Sequence, residues 1–347
     1  MKPLDRQVIE QGVQWLEEGG SLWLCTVLAT FGSSPREPGS MMVARSDGRH
    51  VGSLSGGCVE EDFLERLGQG ELDQPISVLR YGDETEGNRP RVRLPCGGIL
   101  EVLVERLEPR ASTREHLQAI LASMAGQQDL ERQVELSSGN VSLESAGRLE
   151  GRVERTRDGD SVRIRIGPVA RLIIAGVSPV SEVCAGFAQT LGFEVIVCDP
   201  RDGVGAVFEG SGVEFQAVLP SLFIASEGAC HDATAVVALT HDPRIDDLAM
   251  MAAVETSAFY IGVMGSQRTS QARAARLARS GGLSPAQIDR IHMPIGMALG
   301  SKTPAEIALA VMADIVRVRQ GGAARRERER PGIDPVSGRE APGTATV

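Results

Sequence analysis

The chain has 347 residues, 42% of them hydrophobic and 24% charged, an ordinary globular usage that excludes wholesale disorder and leaves room for two domains of ~150 residues. The balance of 36 basic against 46 acidic residues, a net charge of −10, together with only 3% aromatics, argues against a nucleic-acid binder, which needs basic surface or stacking platforms. Six cysteines, none in a C-x-x-C pair, are too sparse for a disulfide scaffold and give no support for structural zinc.

The first twenty residues, MKPLDRQVIEQGVQWLEEGG, lack the apolar core of a signal peptide, and Val8, Ile9, Val13 and Leu16 recur at helical spacing. LWLCTVLA at 22–29 is the longest apolar stretch, well short of the ~20 residues of a membrane span. The expectation is a reduced, cytoplasmic protein with no membrane partner. Strands are predicted over 22–30, 41–45, 50–54, near 76–81 and over 99–107, with a helix from Val59 to Leu67. Residues 112–125 read as a helix and 131–166 as a polar β-hairpin region, so 109–168 is expected to be a spacer after an N-terminal β-rich α+β domain at 1–108.

From Arg171 the apolar runs RLIIAG, EVIVCD, AVVALT and FYIGVMG alternate with helical stretches at 179–191, 244–255 and 266–280. That alternation predicts a Rossmann-like doubly wound parallel-sheet domain over 169–320. Thr303, Pro304 and Glu306 form a capping box for the last helix. The polar, Pro/Gly-containing stretch at 321–347 reads as a disordered tail.

Several constellations could carry chemistry. In SLSGGCVEED, Gly56 and Gly57 permit close backbone approach and Cys58 stands at the mouth of a helix, where free amides favour an anion. Glu60, Glu61 and Asp62 in the same turn oppose a thiolate there. The competing reading is a tight strand-to-helix turn with Cys58 buried as a small hydrophobe. In LPCGGILEV, Cys96 with Gly97 and Gly98 mirrors that arrangement, and two such thiols facing one pocket would suit a soft metal. Ser33, Ser34 and Arg36 offer hydroxyls and a guanidinium for phosphate or carboxylate, or else form an ordinary interstrand loop. Cys25, Cys184 and Cys198 read as core, and the Cys230–His231 neighbour pair as incidental.

The turn after RLIIAG keeps only the first glycine of a dinucleotide fingerprint: Gly176 is followed by Val177 and Ser178, a helix cap with Pro179 behind it. Asp199 follows at a spacing right for a ribose-binding carboxylate. Tight NAD(P) binding is therefore not expected. His241 and Asp242, and then Gly265, Ser266 and Arg268, fall at strand ends on the carboxyl edge of the sheet, where such folds bind ligands.

FGSSPREPGSMMV, SLSGGCVEE and LPCGGILEV resemble the N-terminal domain of the xanthine dehydrogenase accessory protein family (XdhC/CoxI). VCDPRD, LTHDPRIDD, FYIGVMGSQRT and IHMPIGMALGSKTPAEIALAVMADI resemble its Rossmann-type C-terminal domain. The resemblance spans roughly 5–107 and 169–319. It implies a chaperone, not an enzyme, that binds molybdenum cofactor as cargo, protects it during sulfuration and inserts it into a molybdenum hydroxylase such as xanthine dehydrogenase, working with a cysteine desulfurase. Cys58 and Cys96 carry over as candidate contacts to the metal, Gly56, Gly57, Gly97 and Gly98 as the approachable backbone, and Glu60 without a role. The family's usual Gly-Ala-Gly-His-type turn is replaced here at Gly176–Pro179, which puts any ligand contact at that turn in question. A cleft between the two domains is the expected cargo site. An NAD(P)-dependent oxidoreductase with Cys58 as nucleophile and a cofactor-free interaction protein are the alternatives. Oligomeric state stays open, with a homodimer the commonest assembly.

Overall fold

The computed structural model describes residues 3–31, 36–82, 98–146 and 152–328. Helix α1 (Leu4–Glu17) leads into strands β1 (Leu22–Phe31), β2 (Met41–Ala44) and β3 (His50–Gly52), then α2 (Cys58–Gly68), β4 (Ile76–Tyr81) and β5 (Ile99–Leu107). The strands form one antiparallel sheet in the order β3-β2-β1-β5-β4. In β1, Trp23, Cys25 and Val27 face the core under α2, while Leu22, Leu24 and Leu28 face the core on the other side. Burial on both faces is why this strand reads as an unbroken apolar run.

The segment expected to be a spacer is the third layer of this module. It consists of α3 (Ala111–Met124), β6 (Leu130–Glu135), β7 (Val141–Ser145), β8 (Val153–Arg155) and β9 (Ser161–Ile166), the strands forming a second antiparallel sheet in the order β7-β6-β9-β8. Val134, Val162, Ile164 and Ile166 share a core with Val8, Ile9 and Leu16 of α1 and with Leu24, Val43 and Leu103 of the first sheet. A buried ion pair locks the layers: Arg132 donates to both carboxylate oxygens of Glu105 at 2.6 and 2.8 Å. Its Nε also donates to His116 Nε2 at 2.9 Å. Burial and then the charge of Arg132 push the His116 imidazole down to about 4.

The second domain contains β10 (Arg171–Ala175), α4 (Pro179–Thr190), β11 (Glu194–Cys198), β12 (Glu214–Gln216), α5 (Pro220–Ile224), β13 (Thr234–Ala238), α6 (Pro243–Ala253), β14 (Tyr260–Val263), α7 (Gln267–Arg279), α8 (Pro285–Asp289), β15 (Ile291–His292) and α9 (Pro304–Arg328). The sheet is wholly parallel in the order β12-β11-β10-β13-β14-β15, the strand order of a dinucleotide-binding fold. Leu172 and Ile174 pack under α4 and α9, whereas Ile173 and Ala175 pack under α5, α6 and α7. The predicted capping box starts α9: Lys302 and Thr303 amides donate to Glu306 Oε2 at 2.8 and 3.0 Å, and the Glu306 amide donates to Thr303 Oγ1. That helix continues to Arg328, past the boundary expected at 320. The rest of the expected tail lies outside the described residues.

The domains meet at the amino end of the parallel sheet. Arg6 of α1 pairs with Glu194, the first residue of β11, at 2.7 Å. The Val169 amide donates to the Met124 carbonyl at 3.0 Å, and Gly126 lies so close to His231 that a Cβ there would stand 2.6 Å from its ring. Arg319, its guanidinium over Phe193, sits within reach of the charges of Glu37 and Arg152. A cleft between the two domains therefore does not open onto the carboxyl edge of the parallel sheet. The five-residue strands put about 16 Å between the two ends of that sheet, and the N-terminal module is docked at the other end.

Candidate functional site

Strand register gathers three connections at one end of the N-terminal sheet. Phe31 pairs with Ile99, Tyr81 with Leu100 and Gly52 with Met42, so the chain leaves that end after Phe31, after Gly52 and after Tyr81. Ser33, Ser34, Cys96 and Gly97 lie outside the described residues, and Gly98 is buried just before β5. Arg36 does not stand ready for an anion. Its Nη2 pairs with Asp5 at 3.1 Å and its Nε donates to the Ser53 carbonyl at 3.2 Å, with Arg152 on the other oxygen of Asp5 at 2.8 Å. This knot ties α1, the loop before β2 and the start of the glycine loop together.

The Ser53–Gly57 loop does form the amide cradle that its composition suggests, but the chain fills it from within. The Glu60 carboxylate accepts the amides of Leu54, Ser55, Gly56 and Gly57 at 2.7 to 3.0 Å. It also accepts the hydroxyls of Ser53 and Ser55 at 2.7 and 2.9 Å. Burial alone pushes this carboxyl up, but those donors outweigh it and hold it far below the usual carboxylate range. The role left unassigned for Glu60 is structural: it is the tethered anion of its own loop.

Cys58, the first residue of α2, is exposed, which overturns the reading of a buried thiol. Gly56 has φ of +92°, and among the described residues nothing lies within 4 Å of a Cβ position there or at Gly57. These glycines serve a backbone conformation that L side chains rarely adopt, with no described side chain against them beside the thiol. Cys25, Cys184 and Cys198 are buried as expected, and burial pushes the thiols of the last two up to about 12. Among the described residues no group of three or more His, Cys, Asp or Glu side chains could hold a metal ion.

At the carboxyl edge of the parallel sheet the candidate residues are also engaged. Gly176 has φ of +83°, and a Cβ there would stand 2.0 Å from Thr240 Cγ2. The turn is thus pressed against the loop after β13. Ser178 caps α4 by accepting the Ser181 amide at 3.1 Å, and donates to the Leu239 carbonyl at 2.8 Å. Asp199, fully buried, accepts the Val177 amide at 2.7 Å and three bonds from Arg201 at 2.6 to 2.9 Å. Burial pushes its carboxyl up, but Arg201 and the Val177 amide prevail and hold it low. A ribose would find this carboxylate occupied. Sequence reasoning missed Arg201, although its position two residues after Asp199 was the available signal.

His241 has φ of +68° and is exposed at the same edge. Asp242 caps α6 through the Arg244 amide at 2.9 Å and pairs with the Arg244 guanidinium at 2.7 Å, which holds its carboxyl at about 2. Ser266 caps α7 by accepting the Thr269 amide, Gly265 abuts the Thr269 hydroxyl, and Arg268 is exposed in the first turn. The edge therefore presents three helix starts with their own caps in place, and no described side chain links it to Cys58.

Comparison with known proteins matches both domains. The model described as XdhC and CoxI family covers residues 15–82, and that described as XdhC Rossmann domain covers 172–315, together more than half of the chain. The chain is 28% identical over 322 residues to an Escherichia coli protein named molybdenum cofactor insertion chaperone PaoD, covering 90% of this chain and 88% of that one. It is 27% identical over 326 residues to a Bacillus subtilis protein named as a probable xanthine dehydrogenase subunit, covering 88% and 95%. A crystal structure from Bacillus halodurans, titled as a xanthine dehydrogenase, has the same fold, with TM-score 0.70 at 22% identity over 95% of this chain and 98% of that chain. No helix among the described residues is long and apolar enough to cross a membrane.

Proposed function

The chain belongs to the XdhC and CoxI family, and from that premise we propose that it is a cofactor-loading chaperone. It binds molybdenum cofactor as cargo, shields it while a cysteine desulfurase exchanges an oxo for a sulfido ligand, and hands it to a molybdenum hydroxylase of the xanthine dehydrogenase type. It does this in the cytoplasm without turning over a metabolite. The observation that carries the reading is the end-to-end similarity to a named insertion chaperone across both domains. The exposed Cys58 beside an open glycine surface supports it, since a soft thiolate suits the metal. Cys96 is assigned to the same metal contact on the family resemblance, and a homodimer is the expected assembly. NAD(P) is not its ligand in this reading, because Asp199 is held by Arg201 and the second glycine of the fingerprint is missing.

The test is anaerobic incubation of the full chain with extracted cofactor, followed by gel filtration and assay of co-eluting molybdenum and pterin fluorescence. Near-stoichiometric retention is expected, falling at least tenfold in Cys58→Ala. Exposed substitutions of this kind change stability by about 0.5 kcal/mol or less, so an unchanged melting temperature separates lost binding from lost folding. A wild type that retains neither molybdenum nor pterin sinks the proposal.

A further inference from the structure

Helix α9 is apolar on more than the side it buries. Ala308, Val311, Met312 and Ile315 pack into the core shared with α4 and the parallel sheet. On the other side Leu309 is 54% exposed, with Ala305 exposed and Ala313 and Val316 half-buried beside it. A surface helix ordinarily turns polar residues outward, and one that is apolar all round is covered. The same surface continues onto the preceding loop. The Met297 amide donates to the Ala310 carbonyl at 3.1 Å, and the Leu299 amide to the Met297 carbonyl at 2.8 Å. Those bonds set Met297 and Leu299, 40% and 55% exposed, next to the Leu309 turn. Charge marks one flank of this face. Glu306 and Arg317 are exposed, and their separation of about three turns puts them on one side of the helix, ~16 Å apart. The Arg317 side chain is 60% exposed even though it pairs with Asp314 at 2.7 Å.

We infer that this face of α9 packs against α9 of a second copy, antiparallel about a two-fold axis near Val311. In that register Glu306 of each copy lies opposite Arg317 of the other, and symmetry makes the pair twice. Leu309 of one copy then lies over Ala313 of the second copy. The i, i+4 row Ala305, Leu309, Ala313 alternates small with large, so the ridge of each helix finds a gap in the other. A parallel pairing sets Glu306 against Glu306 and Arg317 against Arg317, which the charges oppose. The homodimer expected of the chaperone thereby gains a surface. Mass rather than cargo reads it, so either proposal can fail alone.

Sedimentation equilibrium of the full-length, cargo-free chain at micromolar concentration is expected to give twice its 36.9 kDa. Leu309→Glu should weaken the dimer at least about a hundredfold, because a central apolar contact is lost in both copies. Leu222→Glu, at a leucine 67% exposed on α5, should leave it unchanged. Glu306→Gln keeps the helix start, since glutamine also serves a capping box, and should weaken the dimer about threefold. In an Arg317→Glu chain the same Glu306→Gln should instead strengthen it, by relieving a carboxylate that faces a carboxylate. Within one copy the two positions are about two screening lengths apart, so this change of sign does not arise inside a monomer. Should Leu309→Glu fail to fold, the sign test at Glu306 decides alone. A monomeric wild type overturns the inference and leaves the α9 face to a different protein. So does a dimer that survives a folded Leu309→Glu, one that Leu222→Glu dissolves, or a Glu306→Gln effect of the same sign in both backgrounds.

Discussion

Two glycine-marked turns, Ser53–Cys58 and Gly176–Ser178, look alike in sequence as anion-friendly approaches to a helix start, and the fold uses them differently. In the first, no described atom crowds the glycines, and the acceptor of the loop amides is a carboxylate three residues into the following helix. In the second, the glycine is demanded by a neighbouring side chain pressed against it, and the adjoining carboxylate is held by an arginine. A glycine at a strand-to-helix turn thus signals left-handed backbone in both cases, but only in the second does a described side chain crowd it.

The largest effect expected from this contrast is at Gly176. Gly176→Ala should cost about 3–4 kcal/mol, combining the left-handed backbone penalty with overpacking against Thr240. Thr240→Ser in the same chain, by removing the clashing methyl, should return part of it. Gly56→Ala should cost only the backbone share, about 1–2 kcal/mol. Urea unfolding followed by circular dichroism measures both, and equal costs would break the distinction between the two turns.

Next in size is Glu60→Ala, which strips the acceptor from four amides and two hydroxyls and should cost about 2–3 kcal/mol. Trp15 and Trp23 both lie in the N-terminal module, so tryptophan fluorescence reports on it directly. The pH dependence has a definite sign. A carboxyl held below its unfolded value of about 4.3 contributes stability that is complete above that pH and is lost as pH falls toward the folded value. The wild type should therefore lose stability below about pH 4.3 more steeply than Glu60→Gln. His116, lowered to about 4, adds a loss of the same sign that starts near pH 6.5, common to both proteins, so the comparison is made on the difference.

An effect as small as that of Gly56→Ala belongs to Arg201→Ala. The Arg201 side chain is 54% exposed, so solvent screening limits the loss to about 1–2 kcal/mol, measured by the same urea unfolding. A much larger loss would mean that the second turn depends on its ion pair as the first depends on Glu60.

Much of the fold was legible because burial on two faces leaves a plain mark: β1 and the strands of the parallel sheet are continuous apolar runs, and the caps of α4 and α9 stand in the sequence as Ser-Pro and Thr-Pro-x-Glu. The middle segment was misread as a spacer because its strands alternate charged with apolar residues. Nothing local says that Val134, Val162 and Ile164 close on α1, or that Arg132 finds Glu105. At the candidate site, the Gly-Gly-Cys loop could be picked out by composition. That Glu60 fills it depends on the loop folding back over the first turn of α2.

The sequence by itself determined the Rossmann-like class of the second domain, the family and the thiol at a helix start, since each is written in spacing of a few residues. Only the tertiary structure decided which anion occupies each turn and which end of the parallel sheet the N-terminal module covers. Those outcomes are set by pairs far apart in the chain, such as Arg6 with Glu194 and Gly176 with Thr240. Their energies come from burial and from satisfying polar groups in three dimensions, which no local pattern encodes.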